Sequence, residues 1–165
     1  MLVGKYSNGP VKLFAGYEFI RYAPPSSPYA ANTGFNDISG DFVCAGCAAI
    51  NNTNINNTAY SAGDKLFNVF WTGVKYAVTD HLDVIGAYYH YDQPTYGASA
   101  NCAATPKPAT CHGTLDAVSF AVDWQFAKKF DAYAGIMFSQ VNGGLANGYL
   151  NRSTIDPTVG LRFRF

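Results

Sequence analysis

Charged side chains are scarce in this sequence of 165 residues. Asp, Glu, Lys and Arg make up 13% of it, against about 25% in ordinary soluble domains. Neither sign is in excess, because 11 basic residues balance 11 acidic ones. Without a basic stripe, nucleic-acid binding loses its electrostatic footprint. Long apolar runs are missing too: charges, Gly or Asn interrupt every stretch before it reaches about 18 residues, which excludes a helical membrane span. The opening Met1-Leu2-Val3-Gly4-Lys5-Tyr6 has no basic segment followed by an apolar one, so it reads as part of a strand and not as a secretory signal. Catalytic signatures are missing as well. There is no Gly-x-Ser-x-Gly, no phosphate-binding glycine loop and no His-Glu-x-x-His. His81, His90 and His112 have no spacing that would converge on a metal. No enzymatic activity, cofactor or metal is expected.

What is present is apolar and aromatic. Hydrophobic residues make up 48% of the chain and aromatic residues 16%, with 12 Tyr and 12 Phe, which excludes disorder. Mean hydropathy is nonetheless near neutral, at −0.04. Apolar and polar residues are therefore interleaved, and their period tells how.

The period is two. In residues 115–126, Val118, Phe120, Val122, Trp124 and Phe126 fall on one face, with Ala117, Ser119, Ala121, Asp123 and Gln125 on the other. Val159, Leu161, Phe163 and Phe165 alternate in the same way with Gly160, Arg162 and Arg164. Phe70, Thr72, Val74, Tyr76 and Val78 oppose Trp71, Gly73, Lys75 and Ala77. Less regular strands are expected over 11–22, 82–92 and 130–141, and in 82–92 the pattern does not choose between the two faces. With a partial strand at 2–6, the total is seven. Val, Tyr, Phe and Gly dominate these segments and disfavour helix.

The connections alternate in length. Ser7-Asn8-Gly9-Pro10, Thr79-Asp80-His81 and Ala127-Lys128-Lys129 are short, whereas 23–64, 93–114 and 142–156 are long. In an up-and-down sheet this puts tight turns at one end and long loops at the other, the organisation of an outer-membrane barrel.

A soluble β-sandwich core also alternates, so other features decide. The strands run about 10–12 residues, against about 5–6 in soluble proteins and 9–11 for a tilted membrane strand. The apolar faces carry no charge, and the opposite faces are small and polar. Aromatics gather at strand ends: Tyr76, Phe126, Phe130 and Phe165 near the tight turns, and Tyr22, Tyr88, Tyr89 and Tyr91 near the long loops. Two such groups match the interfacial girdles of a membrane barrel. A disulfide-bearing secreted β-domain is the main competitor. Another is a small complete barrel acting as an adhesin or structural protein, which would need one more strand hidden in 23–64.

The segments Lys12-Leu13-Phe14-Ala15-Gly16-Tyr17-Glu18, Thr72-Gly73-Val74-Lys75-Tyr76 and Lys129-Phe130-Asp131-Ala132-Tyr133-Ala134-Gly135 resemble the C-terminal part of Gram-negative general porins of the alpha- and betaproteobacterial type. So does the ending Asp156-Pro157-Thr158-Val159-Gly160-Leu161-Arg162-Phe163-Arg164-Phe165. The resemblance covers nearly the whole chain. It implies an all-β, antiparallel up-and-down transmembrane barrel of roughly 16 strands, of which this chain supplies about six and a partial one. Residues 1–165 would then be the C-terminal segment of a single barrel domain, with earlier strands and the constriction loop upstream. The implied function is passive diffusion of small hydrophilic solutes and ions across the outer membrane. The implied partners are outer-membrane lipid, two further copies in a homotrimer, and the assembly machinery, which would read Leu161, Phe163 and Phe165.

Two residue sets complete the expectations. Lys12, Glu18, Lys75, Asp123, Arg162 and Arg164 project into the lumen in these registers, where fixed charges bias the passage of ions. Cys44, Cys47, Cys102 and Cys111 sit in polar, turn-rich segments and are expected to staple loops as disulfides in an oxidising compartment. The preferred pairings are Cys44 with Cys47 and Cys102 with Cys111, although three connectivities are formally open. A redox or zinc role for Cys44-Ala45-Gly46-Cys47 lacks the required flanks and a second correctly spaced pair.

Overall fold

The structure is a computed structural model that describes residues 1–22, 64–96, 101–146 and 151–164. It is all-β: β1 (Leu2–Asn8), β2 (Val11–Tyr22), β3 (Lys65–Thr79), β4 (Leu82–Gln93), β5 (Gly113–Ala127), β6 (Phe130–Gly143) and β7 (Ser153–Phe163). A short 3-10 turn, Gly144–Ala146, follows β6. The seven strands form one sheet in sequence order, every neighbour antiparallel. The sheet does not close, so β1 and β7 are its two edges.

The tight turns and long connections segregate as the sequence indicates. Gly9 takes a φ of +54° in the β1–β2 turn, a left-handed conformation that a side chain would disfavour. The β3–β4 and β5–β6 turns each close over two residues beside local register shifts at Ala77/Thr79 and Trp124/Ala127. Several strands run longer than the alternation implies. β3 starts at Lys65, because Tyr22 and its neighbours on β2 supply ladder partners back to that point. β7 starts at Ser153 and contains Pro157. A proline is tolerated there because β7 is an edge strand, whose missing donor can face away from the ladder.

Register resolves the faces of every strand. On one face a continuous apolar sheet runs through Leu13, Phe70, Val74, Val84, Val118, Phe120, Ile136, Phe138, Ile155, Val159 and Leu161. The 82–92 ambiguity is settled by pairing: Val84 faces Val122 and Tyr88 faces Val118, so Leu82, Val84, Gly86 and Tyr88 share the apolar face. The other face carries Lys75, Asp83, Asp123, Asp131 and Arg162.

The burial is inverted relative to a soluble domain. Val118, Phe120 and Trp124 are 50%, 51% and 54% exposed, whereas Ala117 on the opposite face is buried. Among the described residues the buried hydrophobic side chains are only Val69, Tyr96, Cys111, Ala117 and Val141. Monomeric soluble proteins rarely leave an apolar patch above a few hundred Å² uncovered, and here no described element packs on the apolar face of the sheet, where Val118, Phe120, Trp124, Ile136, Val159 and Leu161 are all exposed. No helix of the described residues is long and apolar enough to cross a membrane, which says nothing about crossing by strands.

Candidate functional site

The polar face is built from alternate residues of strands that pair in strict order, so side chains from several strands converge on it. All six residues expected to line a lumen stand on this face: Lys12 and Glu18 on β2, Lys75 on β3, Asp123 on β5, Arg162 and Arg164 on β7 or just beyond it. Towards the tight-turn end four of them, Lys75, Asp123, Arg162 and Arg164, enclose an open concavity of about 520 Å³ with Asp80, His81, Asp83 and Gln125, whereas Lys12 and Glu18 stand outside its lining.

Within it Lys75, Arg162 and Arg164 are each paired with a carboxylate. Lys75 forms an ion pair with Asp83 on the next strand. Arg162 reaches across two strands: it faces Asp131 directly, and its Nε donates to Asp131 Oδ2 at 2.6 Å. Its Nη2 donates to Asp123 Oδ2 at 2.7 Å and also to Asp131 Oδ2. Arg164 Nη2 donates to the same Oδ2 at 2.9 Å. Asp131 is fully buried beneath the two guanidinium groups, and its Oδ1 has no partner among the described residues. The backbone amide of Arg164 donates to the Lys129 carbonyl at 2.9 Å, tying the end of β7 to the β5–β6 turn.

Asp83 and Asp131 were not among the sequence-derived site residues. Asp83 was hidden because 82–92 carries apolar and polar residues on both faces. Asp131 was legible in principle, as the second residue after a tight turn and opposite Arg162.

Aromatic rings also lie on the polar face: Trp71, as the alternation of β3 places it, and with it Phe14, Tyr89, Tyr91 and Tyr133. Three of them are housed by glycines. A Cβ on Gly16 would overlap the Trp71 indole, one on Gly73 the Phe14 ring, and one on Gly160 the Tyr133 phenol. Each glycine faces its ring directly across a ladder, so the ring lies against the neighbouring backbone and does not stand into the concavity. Phe14 and Trp71 meet at 6.1 Å between centroids.

This placement corrects one aromatic group. Tyr89 and Tyr91 stand on the polar face, and of the set expected near the long loops Tyr88 stands on the apolar face. The tight-turn group is a contiguous row on the apolar face. Trp124 and Phe126 are 5.6 Å apart, Phe126 and Phe130 6.0 Å, and Phe130 and Phe163 4.9 Å. Tyr76 shares that face, and Phe165 lies outside the described residues. Leu161 and Phe163 are exposed on the same face at the open edge.

Towards the long loops the apolar face ends in a polar row. His90 faces Asp116, Asp116 faces Gln140, and Gln140 faces Ser153. Asp116 Oδ1 accepts from the Tyr88 hydroxyl at 2.5 Å and lies 2.7 Å from His90 Nδ1. Asp116 thus gathers Tyr88 and His90 into one hydrogen-bonded cluster at this end of the sheet.

Beyond that row the described part of the β4–β5 connection, residues 94–96 and 101–112, is held by several contacts. Cys102 and Cys111 form a disulfide with sulfurs 2.07 Å apart, the pairing expected from their spacing; Cys44 and Cys47 lie outside the described residues. Gln93 is fully buried, and its Nε2 donates to the Ala109 and Cys111 carbonyls at 2.8 and 3.0 Å. The Tyr96 amide donates to the Thr110 carbonyl at 2.8 Å, and the Gly144 amide to the His112 carbonyl at 2.9 Å. His112 Nε2 lies 2.8 Å from Asp92 Oδ1. The loop is thus fastened both to its own strand and to the 3-10 turn after β6.

Compared with known protein families, curated proteins and solved structures, the chain matches none.

Proposed function

We propose that this chain forms part of the wall of a porin-type barrel in the outer membrane. Its apolar face would meet lipid, and its charged face would line a water-filled channel for small hydrophilic solutes and ions. The observation that carries the reading is the bare apolar face. On β5 it runs from Phe126 to Val118, on β6 from Phe130 to Phe138 and on β7 from Phe163 to Ile155. Each run covers about 26 Å along the strand at about 3.3 Å per residue. Strand tilt of about 40° brings this to roughly 20 Å along the membrane normal, close to the ~25 Å apolar band of outer-membrane barrels. An aromatic row bounds it at one end and a polar row at the other, which is how a bilayer-matched surface is organised.

The open sheet supports a larger closed structure. An unpaired edge is costly in hydrocarbon, so β1 and β7 would pair with further strands of the same barrel, β7 forgoing one ladder bond at Pro157. A homotrimer, recognition of the last strand by the assembly machinery, and an exported location with oxidised cysteines belong to the same reading. The mechanism makes and breaks no bonds. A polar bore admits water-soluble molecules up to its width, and charges fixed on the wall bias which ions follow. Because Lys75, Arg162 and Arg164 are matched by Asp83, Asp123 and Asp131, this stretch of wall gives only weak preference for either sign.

Reconstitution in a planar bilayer tests the proposal. Ohmic, stepwise conductance in potassium chloride is expected. Replacing Arg162 and Arg164 with Gln leaves Asp123 and Asp131 uncompensated, so the zero-current potential in a salt gradient should move towards cation preference. Absence of channels would overturn the proposal. Channels with an unaltered potential would remove this part of the wall from the ion pathway.

A further inference from the structure

We propose that the charged face holds a subsite for small aromatic carboxylates, formed by Lys5, Lys12, Phe14 and Trp71. The inference rests on the channel reading only in that it supplies the route by which such a molecule arrives. The cations here are differently placed from those around Asp131. Lys12 stands directly opposite Lys75, and residues so paired have Cβ atoms only about 4.5–5.5 Å apart, where like charges repel. Lys75 is satisfied by Asp83. Lys5 faces Phe14, and Ser7 faces Lys12, so Lys5 and Lys12 are diagonal neighbours across the β1–β2 ladder at roughly 7–8 Å. Among the described residues no carboxylate pairs with Lys5 or Lys12. The nearest acid along β2 is Glu18, which is four positions beyond Phe14, or about 13 Å. Three ammonium groups therefore share one carboxylate, and an anion is what this patch lacks.

The rings decide which anion. Phe14 lies between the two lysines in the ladder, and Trp71 is its neighbour at 6.1 Å. Each ring has one side laid on a glycine backbone, at Gly73 and Gly16 respectively, which leaves the other side towards the space above the charged face. Both are only half-buried. A flat, fixed π-surface beside unpaired ammonium groups suits a planar ring bearing a carboxylate: the ring stacks and the carboxylate meets Lys5 and Lys12. A sugar would use the rings and leave the lysines unanswered, and a simple inorganic anion would do the reverse.

The test uses benzoate with the protein folded in detergent and reconstituted in bilayers. The chain has two tryptophans, Trp71 and Trp124, so the Trp124→Phe protein reports on Trp71 alone. Benzoate should change its emission saturably, and acetate should not do so at the same concentration. Lys5→Gln/Lys12→Gln should weaken the benzoate response at least five-fold; Lys12→Gln alone serves if the double variant does not fold. Benzoate should also reduce single-channel current more than acetate does. A non-saturable response, an equal response to acetate, or lysine variants that respond like the parent would each overturn the subsite. Potassium chloride conductance is read separately. Channels without saturable benzoate binding defeat the subsite and leave the channel standing, and saturable binding without channels does the reverse.

Discussion

Replacing Gly16 with Ala adds one methyl group where the Trp71 indole already lies. The three atoms nearest to the added carbon all belong to that ring, with Nε1 at 2.8 Å, whereas non-bonded carbons rest at about 3.5–4.0 Å. Gly16 and Trp71 are directly paired in the β2–β3 ladder. The backbone can yield only by opening that ladder, so the ring has to lift. Overpacking of this kind costs about 1–3 kcal/mol. Trp71→Ala removes the obstacle at its own cost of about 2 kcal/mol, roughly half that of a fully buried tryptophan. With the indole gone, Gly16→Ala should be close to neutral, since alanine is the better strand residue by about 0.5–1 kcal/mol. The two changes are therefore coupled by about 1–3 kcal/mol. Guanidinium unfolding of the four proteins in detergent, followed by circular dichroism, measures the cycle. If Gly16→Ala costs the same with and without Trp71, the ring is not what requires glycine at this position.

The two faces should respond oppositely to charge. Phe120→Arg is expected to cost about 2–4 kcal/mol or to block membrane insertion, whereas Ser119→Arg on the opposite face should fold and conduct; equal tolerance would point to a soluble sheet. Replacing Cys102 and Cys111 with Ser should cost the β4–β5 loop about 2–3 kcal/mol of ordering, seen as new proteinase K cleavage within 101–110 at doses the parent resists. Gln93→Leu leaves the Ala109 and Cys111 carbonyls without their buried donor, at about 1–3 kcal/mol each. Faster hydrogen exchange at the Tyr96 and Cys111 amides is the expected sign, and unchanged exchange would show that the loop does not depend on Gln93.

The sheet was legible in the sequence because each strand repeats its face with period two, and Val118 through Phe126 does so without exception. The strand order followed from the alternation of short and long connections. What single-strand patterns could not convey was information shared between strands. In β4, Ile85 and Tyr89 stand on the charged face, and only pairing with Ala121 and Ala117 shows which parity they follow. Phe14 and Trp71 look like errors in an otherwise polar face until the glycines opposite them are seen. The early start of β7 was masked by Pro157, which removes one ladder donor and so argues against a strand when the sequence is read alone. The charged residues were found singly, as Asp123, Arg162 and Arg164. Their shared partner Asp131 emerges only when β6 and β7 are laid side by side.

The position of β7 along β6 has one further determinant. A slip by a single residue would turn Arg162 and Arg164 onto the apolar face, and the amphipathic pattern alone would reject it. A slip by two residues keeps every face correct and escapes that check. In one direction Arg164 would take the place of Arg162 opposite Asp131, so the ion pairs would not reject it either. Both two-residue slips, however, replace Gly160 opposite Tyr133, one with Arg162 and the other with Thr158. The phenol ring has room only above a residue with no side chain. Gly160 thus acts as a keyway for the strand, and the missing methyl group at that position selects the one alignment that neither hydrophobicity nor charge could single out.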